Sequence, residues 1–392
     1  MPLRILIDAR HIQDFGFGTY IRNLVRALSA LGSPHRFILV CSRRDQQEFE
    51  GLADNFQLLP YERTDADAFD ELAFPAFARG VRADLIHVPL NVVPLFLPRP
   101  YVVTVHDLSS LFFDVPDNWR FELSRTLMRR GLMRASRVIA VSESTRQDVE
   151  QMLGIPANKI TRIYGAADPR YTRLDNAAQI HAAASAEVEQ ERRLTLERYQ
   201  INYPFLLYAG SVKPQKNVAR LVEAFALLRG ELEDHPVYRN LRLIIIGDQI
   251  SKHPNLRQAV LHSRVESAVR FLGFVPFDTL RIFYSSAAAF VFPSLYEGFG
   301  LPPLEAMASG TPVVSSNVTS LPEVAGDAAH FVSPDNVFEI ARGIKEVLLD
   351  EGLREQLIAR GFLQSRRFNW DDTARQVLAT YENVALDREK PV

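Results

Sequence analysis

A series of short, continuously apolar segments, separated by longer segments with helical periodicity, constrains this fold more than any other feature. The apolar segments do not alternate with polar residues, which is typical of strands buried on both faces of a parallel sheet. Strand–helix alternation of this kind predicts a doubly wound α/β fold. The predicted strands are Arg4–Ala9, Arg36–Ser42, Phe56–Tyr61, Asp84–Pro89, Tyr101–Asp107, Arg137–Ser142, Ile160–Gly165, Phe205–Ala209, Leu241–Gly247, Val269–Val275, Ala287–Pro293, Thr311–Ser315 and His330–Ser333.

This strand–helix alternation occurs twice along the chain, and 392 residues are enough for two domains. Residues 175–200, rich in Ala, Glu and Gln, interrupt it, so we predict a helical linker between domains 1–174 and 201–369. A capping box is predicted at Ser144 and Gln147. The predicted helices are Thr19–Ala30, Phe121–Arg134, Ser144–Leu153, Val218–Leu228, Pro254–Ser267, Thr279–Ser286, Glu339–Leu349 and Trp370–Leu386.

Composition narrows the class of protein. Hydrophobic residues make up 47% of the chain and charged residues 23%, as in a soluble globular protein. The net charge of −2 gives no general attraction to nucleic acid, so no nucleic-acid partner is expected. A single cysteine excludes an internal disulfide and fits a reducing compartment. With neither a signal-peptide pattern nor an apolar run of about 20 residues, we expect a cytoplasmic protein.

The segment Phe292–Val314 carries the strongest functional pattern, FPSLYEGFGLPPLEAMASGTPVV. It predicts a strand end, a turn containing Gly298 and Gly300, and a short helix. Glu297 precedes the turn, and Glu305 lies one turn into the helix. The glycines allow a sharp turn and a close approach of backbone to a ligand.

The start of that helix predicts an anion pocket. Pro302 suits the first helical position, where its missing N–H costs nothing. The amides of Phe299, Gly300 and Leu301 are then directed towards a bound anion. Acids on both sides of an anion pocket suit a ligand with hydroxyls flanking a phosphate, such as a nucleotide sugar. Turns of this kind also serve packing alone in many α/β proteins, so the pattern needs support from elsewhere in the chain.

Other polar residues follow predicted strand ends, where parallel sheets bind ligands. His106 closes the fifth strand of the first half. The segment Gly210–Asn217 follows the first strand of the second half and contains Lys216 just before a helix. A lysine there either binds phosphate as a point charge or lies in solvent, and its coincidence with the other strand-end residues favours phosphate.

Two common nucleotide motifs are excluded. Gly16 and Gly18 follow the first strand, but Ile21 occupies the third glycine position of a dinucleotide fingerprint, and no acid closes the second strand. No P-loop sequence is present. Gly16 and Gly18 therefore form either a loop that approaches a ligand or a structural turn.

No metal site is predicted. Asp65-Ala66-Asp67 resembles a D-x-D metal motif, but it follows no strong strand end and is predicted as the acidic start of a helix. His87 and His106 lack zinc-ligand spacing.

Together these motifs resemble family 4 retaining glycosyltransferases of GT-B architecture. The resemblance lies in the E-x7-E spacing from Glu297 to Glu305, supported by TVHD (104–107), VSES (141–144), KN (216–217) and LPEVAGDAA (321–329). It implies two Rossmann-like domains facing across a cleft, with the final helix, 370–392, returning to the first domain.

The resemblance also implies roles for individual residues. Glu297 would bind hydroxyls of the donor sugar and Glu305 the nucleotide ribose. Lys216 would hold the diphosphate with the helix-start amides, and His106 would lie beside the anomeric carbon. The remaining implied donor contacts are Gly16 and Gly18, which would close over the donor, Gly298, Phe299, Gly300 and Leu301 at the turn, and Val275, whose backbone would meet the base.

The chain departs from the family pattern at one point. Relatives often have an arginine where this chain has Ser211, and a second cation where it has Gln215. We predict that Lys213 partly replaces the missing charge. No cofactor or metal is implied, since the nucleotide diphosphate sugar is a substrate.

The resemblance implies retaining transfer of a hexose from a nucleotide diphosphate sugar to a glycan or lipid-linked glycan in polysaccharide biosynthesis. Similarity to bacterial mannosyltransferases suggests GDP-mannose as the donor. Front-side attack is favoured over Glu297 as a covalent nucleophile. The segment Arg120–Arg137 mixes arginines with leucines, which fits either contact with the inner face of an anionic membrane or an ordinary surface helix. An epimerase or phosphorylase of similar architecture and a non-catalytic binding protein remain the alternatives.

Overall fold

The computed structural model describes residues 2–14, 16–63, 69–94, 96–113, 119–172, 182–247 and 250–389. It divides into two compact units, the first formed by Met1–Ala166 with Asn369–Val392 and the second by Ala167–Phe368. Each unit contains one parallel β-sheet.

The first unit contains a seven-stranded sheet in the order β3-β2-β1-β4-β5-β6-β7. Its strands are β1 (Arg4–Asp8), β2 (Arg36–Cys41), β3 (Phe56–Pro60), β4 (Leu85–Val88), β5 (Tyr101–Val105), β6 (Arg137–Ala140) and β7 (Ile160–Arg162). Its helices are α1 (Phe17–Ala30), α2 (Asp70–Val81), α3 (Trp119–Arg134), α4 (Glu143–Leu153) and α13 (Trp370–Glu389). The strands β4 and β5 are buried throughout, as their unbroken apolar sequences predict.

The second unit contains a six-stranded sheet in the order β10-β9-β8-β11-β12-β13. Its strands are β8 (Phe205–Gly210), β9 (Arg242–Gly247), β10 (Val269–Gly273), β11 (Ala289–Phe292), β12 (Val313–Ser316) and β13 (Ala329–Val332). Its helices are α5 (Ala182–Arg198), α6 (Val218–Glu231), α7 (Pro254–His262), α8 (Phe277–Ser286), α9 (Leu301–Ala308), α10 (Leu321–Ala325), α11 (Val337–Leu349) and α12 (Glu351–Ser365). Because β11 pairs with both β8 and β12, the segments following these three strands emerge side by side.

The predicted strands are confirmed, and the fold class is two parallel-sheet α/β domains. The predicted linker 175–200 begins in residues outside the described part of the chain, and α5 follows as part of the second unit. There Arg281 Nη2 lies 3.0 Å from a carboxylate oxygen of Glu191, joining α8 to α5.

Two local predictions are wrong. The cap of α4 is Ser142, whose hydroxyl accepts the amide of Thr145, so Ser144 lies inside the helix rather than at its cap. Helix α7 ends at His262 instead of Ser267, because Arg264 adopts a left-handed backbone conformation that a helix cannot continue through.

Candidate functional site

Lys216 and Glu297 form the centre of the candidate site in the second unit. The Nζ atom of Lys216 lies 2.7 Å from each carboxylate oxygen of Glu297. Lys216 follows β8 and Glu297 follows its neighbour β11, so the topology brings the two predicted residues together. Their side chains are 19% and 9% exposed, which weakens screening of the pair by solvent.

Asn217 fixes the position of Lys216. Its backbone is left-handed, with φ of 59°, and its side-chain amide donates to the carbonyls of Pro293 and Pro334. Leu295 lies in the segment that follows β11, and its backbone amide donates to the carbonyl of Gln215. These bonds join the segment after β8 to the segment after β11, so the lysine and the glutamate are held in one frame.

The turn after Glu297 is held from the segment after β12. The hydroxyl of Thr319 accepts the amide of Glu297. Ser320, which is fully buried, donates its hydroxyl to the carbonyls of both Glu297 and Phe299. The backbone carbonyls of the turn are therefore hydrogen-bonded to Ser320, while the carboxylate of Glu297 contacts Lys216.

Gly300 is required at the start of α9 by two independent constraints. Its φ is 107°, a region that side chains disfavour, and a Cβ atom would lie 2.9 Å from Leu321 Cδ2. Within the described part of the chain, the amides of Gly300 and Leu301 donate no hydrogen bond. The helix therefore begins with donors available to an anion, and Leu301 rather than the predicted Pro302 is its first residue.

Glu305 lies on α9 in a different environment from Glu297. It is 9% exposed, and Tyr284 of α8 donates its hydroxyl to Oε2 over 3.0 Å. Burial raises the pKa of Glu305 to about 7, opposed first by the hydrogen bond from Tyr284 and to a lesser extent by the phenol of Tyr171 and the nearby charge of Arg170. A buried carboxyl whose hydrogen bond comes from a phenol rather than from a cation has unused capacity to accept hydrogen bonds.

The segment that opens the second unit lines this carboxyl group, and the sequence patterns did not reveal it. Asp168 is buried and accepts bonds of 2.9 and 2.8 Å from Arg170. The Arg170 guanidinium lies 3.5 Å from the ring centroid of Phe277, and the Tyr171 ring packs edge-on against Tyr284. The sequence signal that could have indicated this segment is the D-x-R-Y pattern at residues 168–171, which combines an acid, a cation and an aromatic ring.

The other predicted donor contacts in the second unit lie at the same edge of the sheet. Ser211 directly follows β8, and its carbonyl accepts the hydroxyl of Tyr208. Lys213 is exposed, two residues further on. Val275 is buried just beyond the end of β10, and Gly298 lies in the turn after Glu297.

In the first unit, Gly16 and Gly18 begin α1. Gly16 has φ of 86°. A Cβ atom on Gly18 would lie 2.0 Å from the carbonyl oxygen of Ile12, so only glycine fits there. Phe17, between the two glycines, packs its ring edge-on against His106 at a centroid distance of 4.8 Å. The structure thus brings the glycine loop and His106 together within this unit.

His106 follows β5 and is held on several sides. Its Nε2–H donates to the carbonyl of Pro89 over 3.0 Å, and its backbone amide donates to Asn91 Oδ1. Tyr20 packs perpendicular to the imidazole ring, with centroids 4.7 Å apart. Burial lowers the pKa of His106 to about 4, so the ring is neutral at pH 7.

The described residues include neither a metal-ligand cluster nor a membrane-spanning helix. Among the described residues, no three His, Cys, Asp or Glu side chains form a metal-binding group. Asp65-Ala66-Asp67 lies outside the described residues. No helix in the described ranges has the length and apolar character to cross a bilayer.

Two arginines of α3 bind the end of α4. Arg125 Nη2 donates to the carbonyl of Met152, and Arg129 Nε donates to that of Leu153. These contacts satisfy carbonyls in the last turn of a helix. Part of the basic stripe within 120–137 therefore has a structural role.

Solved structures share this fold across the whole chain. HepE from Anabaena, determined in complex with UDP-glucose, has a TM-score of 0.75 and 17% identity, covering 97% of this chain and 100% of that one. Sucrose-phosphate synthase from Thermosynechococcus elongatus has a TM-score of 0.74 and 20% identity, covering 97% and 98%. The fold is that of the GT-B glycosyltransferases.

Sequence comparison then gives the family. Residues 16–171 match the model "Glycosyltransferase Family 4", and residues 196–364 match "Glycosyl transferases group 1". The chain is 34% identical over 310 residues to O-antigen chain mannosyltransferase B of Escherichia coli, covering 78% of this chain and 75% of the relative. This chain belongs to glycosyltransferase family 4, and it is a glycosyltransferase.

A second relative is much longer than the matched region. Serotype-specific mannosyltransferase WbdA of Escherichia coli is 34% identical over 294 residues, covering 74% of this chain and 34% of that protein. The alignment with this chain thus spans about a third of WbdA.

Proposed function

We propose that this protein transfers mannose from GDP-mannose, with retention of anomeric configuration, to a glycan or lipid-linked glycan in polysaccharide biosynthesis. The mannosyltransferase and O-antigen names of its relatives support the sugar and the process. The observation that carries the proposal is the buried pair of Lys216 and Glu297 beside the open amides that begin α9. A fixed cation and backbone donors next to a carboxylate suit a diphosphate joined to a hydroxylated sugar.

The donor roles follow from the contrast between the two glutamates. Lys216 and the amides of Gly300 and Leu301 would bind the diphosphate, and Glu297 would accept hydroxyls of the hexose. Glu305, to which no cation of the described residues is bonded, would accept hydroxyls of the ribose. The ordering along the chain matches that of a nucleotide sugar: hexose, diphosphate, ribose.

The first unit would supply the contacts at the reacting carbon. His106 is neutral and donates through Nε2 to Pro89, so its Nδ1 atom is an acceptor rather than a cation. We assign it a contact with the hexose. The loop containing Gly16 and Gly18 would approach the donor through backbone atoms, since no side chain fits at Gly18.

The chemistry would be a front-side displacement. The bond from the anomeric carbon to the diphosphate oxygen breaks, and the acceptor hydroxyl forms the new bond on the same face. The leaving phosphate takes the proton of that hydroxyl, and Lys216 with the amides stabilises the charge that develops on it. Glu297 is bound to Lys216, which lowers its availability as a nucleophile. Isolation of a glycosyl adduct on Glu297 would instead establish a covalent mechanism.

The acceptor side would include a membrane contact if the acceptor is lipid-linked. Within α3, Leu123 and Met133 are exposed while Leu132 is fully buried. With Arg130 exposed as well, the segment 120–137 presents apolar and basic side chains to an anionic surface. We place the protein in the cytoplasm, peripheral to the inner face of the membrane. Sedimentation with anionic vesicles tests this contact, and recovery of all protein in the supernatant would refute it.

Turnover of a panel of nucleotide sugars tests the proposed activity. GDP-mannose, UDP-glucose and ADP-glucose are each incubated with the protein and a membrane extract containing acceptors. We expect release of GDP from GDP-mannose, with mannose incorporated into the acceptor fraction. Formation of an epimeric sugar nucleotide would indicate an epimerase, and phosphate-dependent release of sugar phosphate a phosphorylase.

A further inference from the structure

Glu305 is a buried acid, and its side-chain hydrogen-bond donor among the described residues is the phenol of Tyr284. The nearby guanidinium of Arg170 is engaged with Asp168 through two bonds. By contrast, Glu297 has a lysine against both of its oxygens. Burying a carboxylate without a bonded cation is costly, and such groups are concentrated at functional sites.

Tyr284 is attached to the helix of Glu305 at two points. Its hydroxyl donates to Glu305 Oε2 over 3.0 Å, and its backbone carbonyl accepts the hydroxyl of Thr311. The amide of Thr311 in turn donates to the carbonyl of Ala306, beside Glu305 on α9. Tyr284 itself is fully buried. Its phenol therefore has a fixed position relative to the carboxyl group.

Tyr171 lies beside the same carboxyl group on another segment. It is 2% exposed, and its phenol opposes the rise in the pKa of Glu305. Its ring lies perpendicular to that of Tyr284, with centroids 5.4 Å apart, and contacts Phe277 at 4.7 Å. The two tyrosines thus pack together beside the carboxyl group, one from α8 and the other from the segment that opens the second unit.

The hydrogen-bonding capacity that remains matches a vicinal diol. A carboxylate has about four acceptor positions, and the phenol of Tyr284 occupies one of them. The remaining positions suffice for the 2′- and 3′-hydroxyls of a ribose. A glutamate side chain has three torsion angles, so without such support the ligand would have to order it on binding, at a cost in conformational entropy.

We propose that Tyr284 is a positioning residue, which holds the Glu305 carboxylate in the orientation that receives both ribose hydroxyls of the donor. Tyr171, whose ring packs against that of Tyr284, contributes to the same positioning to a smaller extent. The inference rests on the proposed function, in which Glu305 binds the ribose. It extends the nucleotide site to residues of α8 and of the segment preceding residue 173.

Binding of GDP and of 2′,3′-dideoxy-GDP to the parent protein and to Tyr284→Phe tests the proposal, with UDP and its dideoxy analogue measured in parallel. Removal of the phenol hydroxyl should weaken binding of the ribose nucleotide about three- to tenfold. Binding of the dideoxy nucleotide should change less than about twofold, since it makes no contact with Glu305. Tyr238→Phe is the matched control, because Tyr238 is a buried tyrosine of the same unit that bonds Arg354 instead.

Comparison of GDP with 2′,3′-dideoxy-GDP distinguishes a positioning role of Tyr284 from a general loss of structure in the variant. Equal weakening of both nucleotides, or unchanged binding of the ribose nucleotide, would overturn the proposal. If Tyr284→Phe does not fold by circular dichroism, Tyr171→Phe gives the same comparison with a smaller expected difference, and equal effects on both nucleotides there would also overturn it. Failure of the parent protein to bind any of the nucleotides would refute the proposed function itself.

Discussion

Lys216 and Glu297, 81 residues apart in sequence, meet with the lysine Nζ 2.7 Å from both carboxylate oxygens. Neighbouring strands β8 and β11 deliver them to the same edge of the sheet. The pair is mostly buried, so each residue compensates the charge of the other before any ligand binds. Among the described residues no cation is bonded in this way to Glu305, which lies four residues beyond Leu301 on α9.

Replacement of Lys216 by Ala should lower kcat by about 10²–10³, because a fixed charge on the leaving diphosphate is lost. Measurement of donor turnover at saturating GDP-mannose checks this. Lys345→Ala is the matched control, since Lys345 is ion-paired to Glu231 on the surface of the same unit and should leave kcat within about twofold. Loss of activity in both variants alike would remove the specific role of Lys216.

Lys213→Ala tests whether that lysine replaces the charge missing at Ser211. Lys213 is exposed, so its contribution to a bound diphosphate is screened by solvent. We expect a loss of several-fold in kcat/KM, well below that of Lys216→Ala. Activity equal to that of the parent protein would dismiss the compensation.

The two glutamates should separate turnover from nucleotide binding. Glu297→Gln should lower kcat more than GDP affinity, because we assign its carboxylate to the hydroxyls of the transferred hexose. Glu305→Gln should weaken GDP binding more than kcat at saturating donor. Calorimetric titration with GDP and steady-state kinetics give the two quantities. An opposite order in the two variants would contradict the assignment of hexose and ribose.

The pH dependence of stability should identify Glu305. Burial raises its pKa from 4.5 to about 7, so the folded protein retains a proton that the unfolded chain releases. The stabilisation that the protonated Glu305 gives to the folded protein is complete below pH 4.5 and is lost as the pH rises to about 7. Relative to Glu305→Gln, the parent's free energy of unfolding should fall by up to about 3 kcal/mol over this interval. Chemical denaturation at pH 5, 6, 7 and 8 measures it, and a constant difference between the two proteins would be inconsistent with the shift.

Gly300→Ala should destabilise the protein by about 1–3 kcal/mol, because its φ of 107° is strained for alanine and Leu321 Cδ2 would have to move. GDP binding should weaken as well, since the amide of Gly300 would shift. Gly230→Ala provides the comparison: Gly230 lies in α6 with open space around it. That variant should be neutral or more stable by about 0.5–1 kcal/mol. Similar thermal denaturation of the two variants would show that the turn tolerates a side chain.

The fold was largely predictable because buried parallel strands have an unbroken apolar pattern. Helices α10 and α12 were not predicted: α10 has only five residues, and α12 begins directly after α11, with only Asp350 between them. Near α2 only the acidic start of a helix was predicted, and α2 contains Pro75, which normally argues against a helix interior. Helix α4 is capped by Ser142 instead of Ser144, because two serines in VSES offer the same chemistry and only backbone conformation decides between them.

The candidate site was predictable where residues are close in sequence or follow strand ends. The turn at Glu297 and the lysine after β8 belong to those classes. The tyrosine pair around Glu305 does not, because Tyr171 and Tyr284 look like ordinary aromatic core residues until the fold brings them together. The same holds for Asn217, whose two carbonyl partners lie 76 and 117 residues away in sequence.

Transfer from GDP-mannose in the presence of acceptor, followed by proton NMR, tests whether this protein is a retaining mannosyltransferase. The parent protein should release GDP and form an α-mannosyl product from the α-linked donor, and Lys216→Ala should form little of either. A β-configured product would contradict retention. Absence of both GDP binding and turnover of any nucleotide sugar, in a folded parent protein, would contradict the account of the Lys216–Glu297 site as a whole.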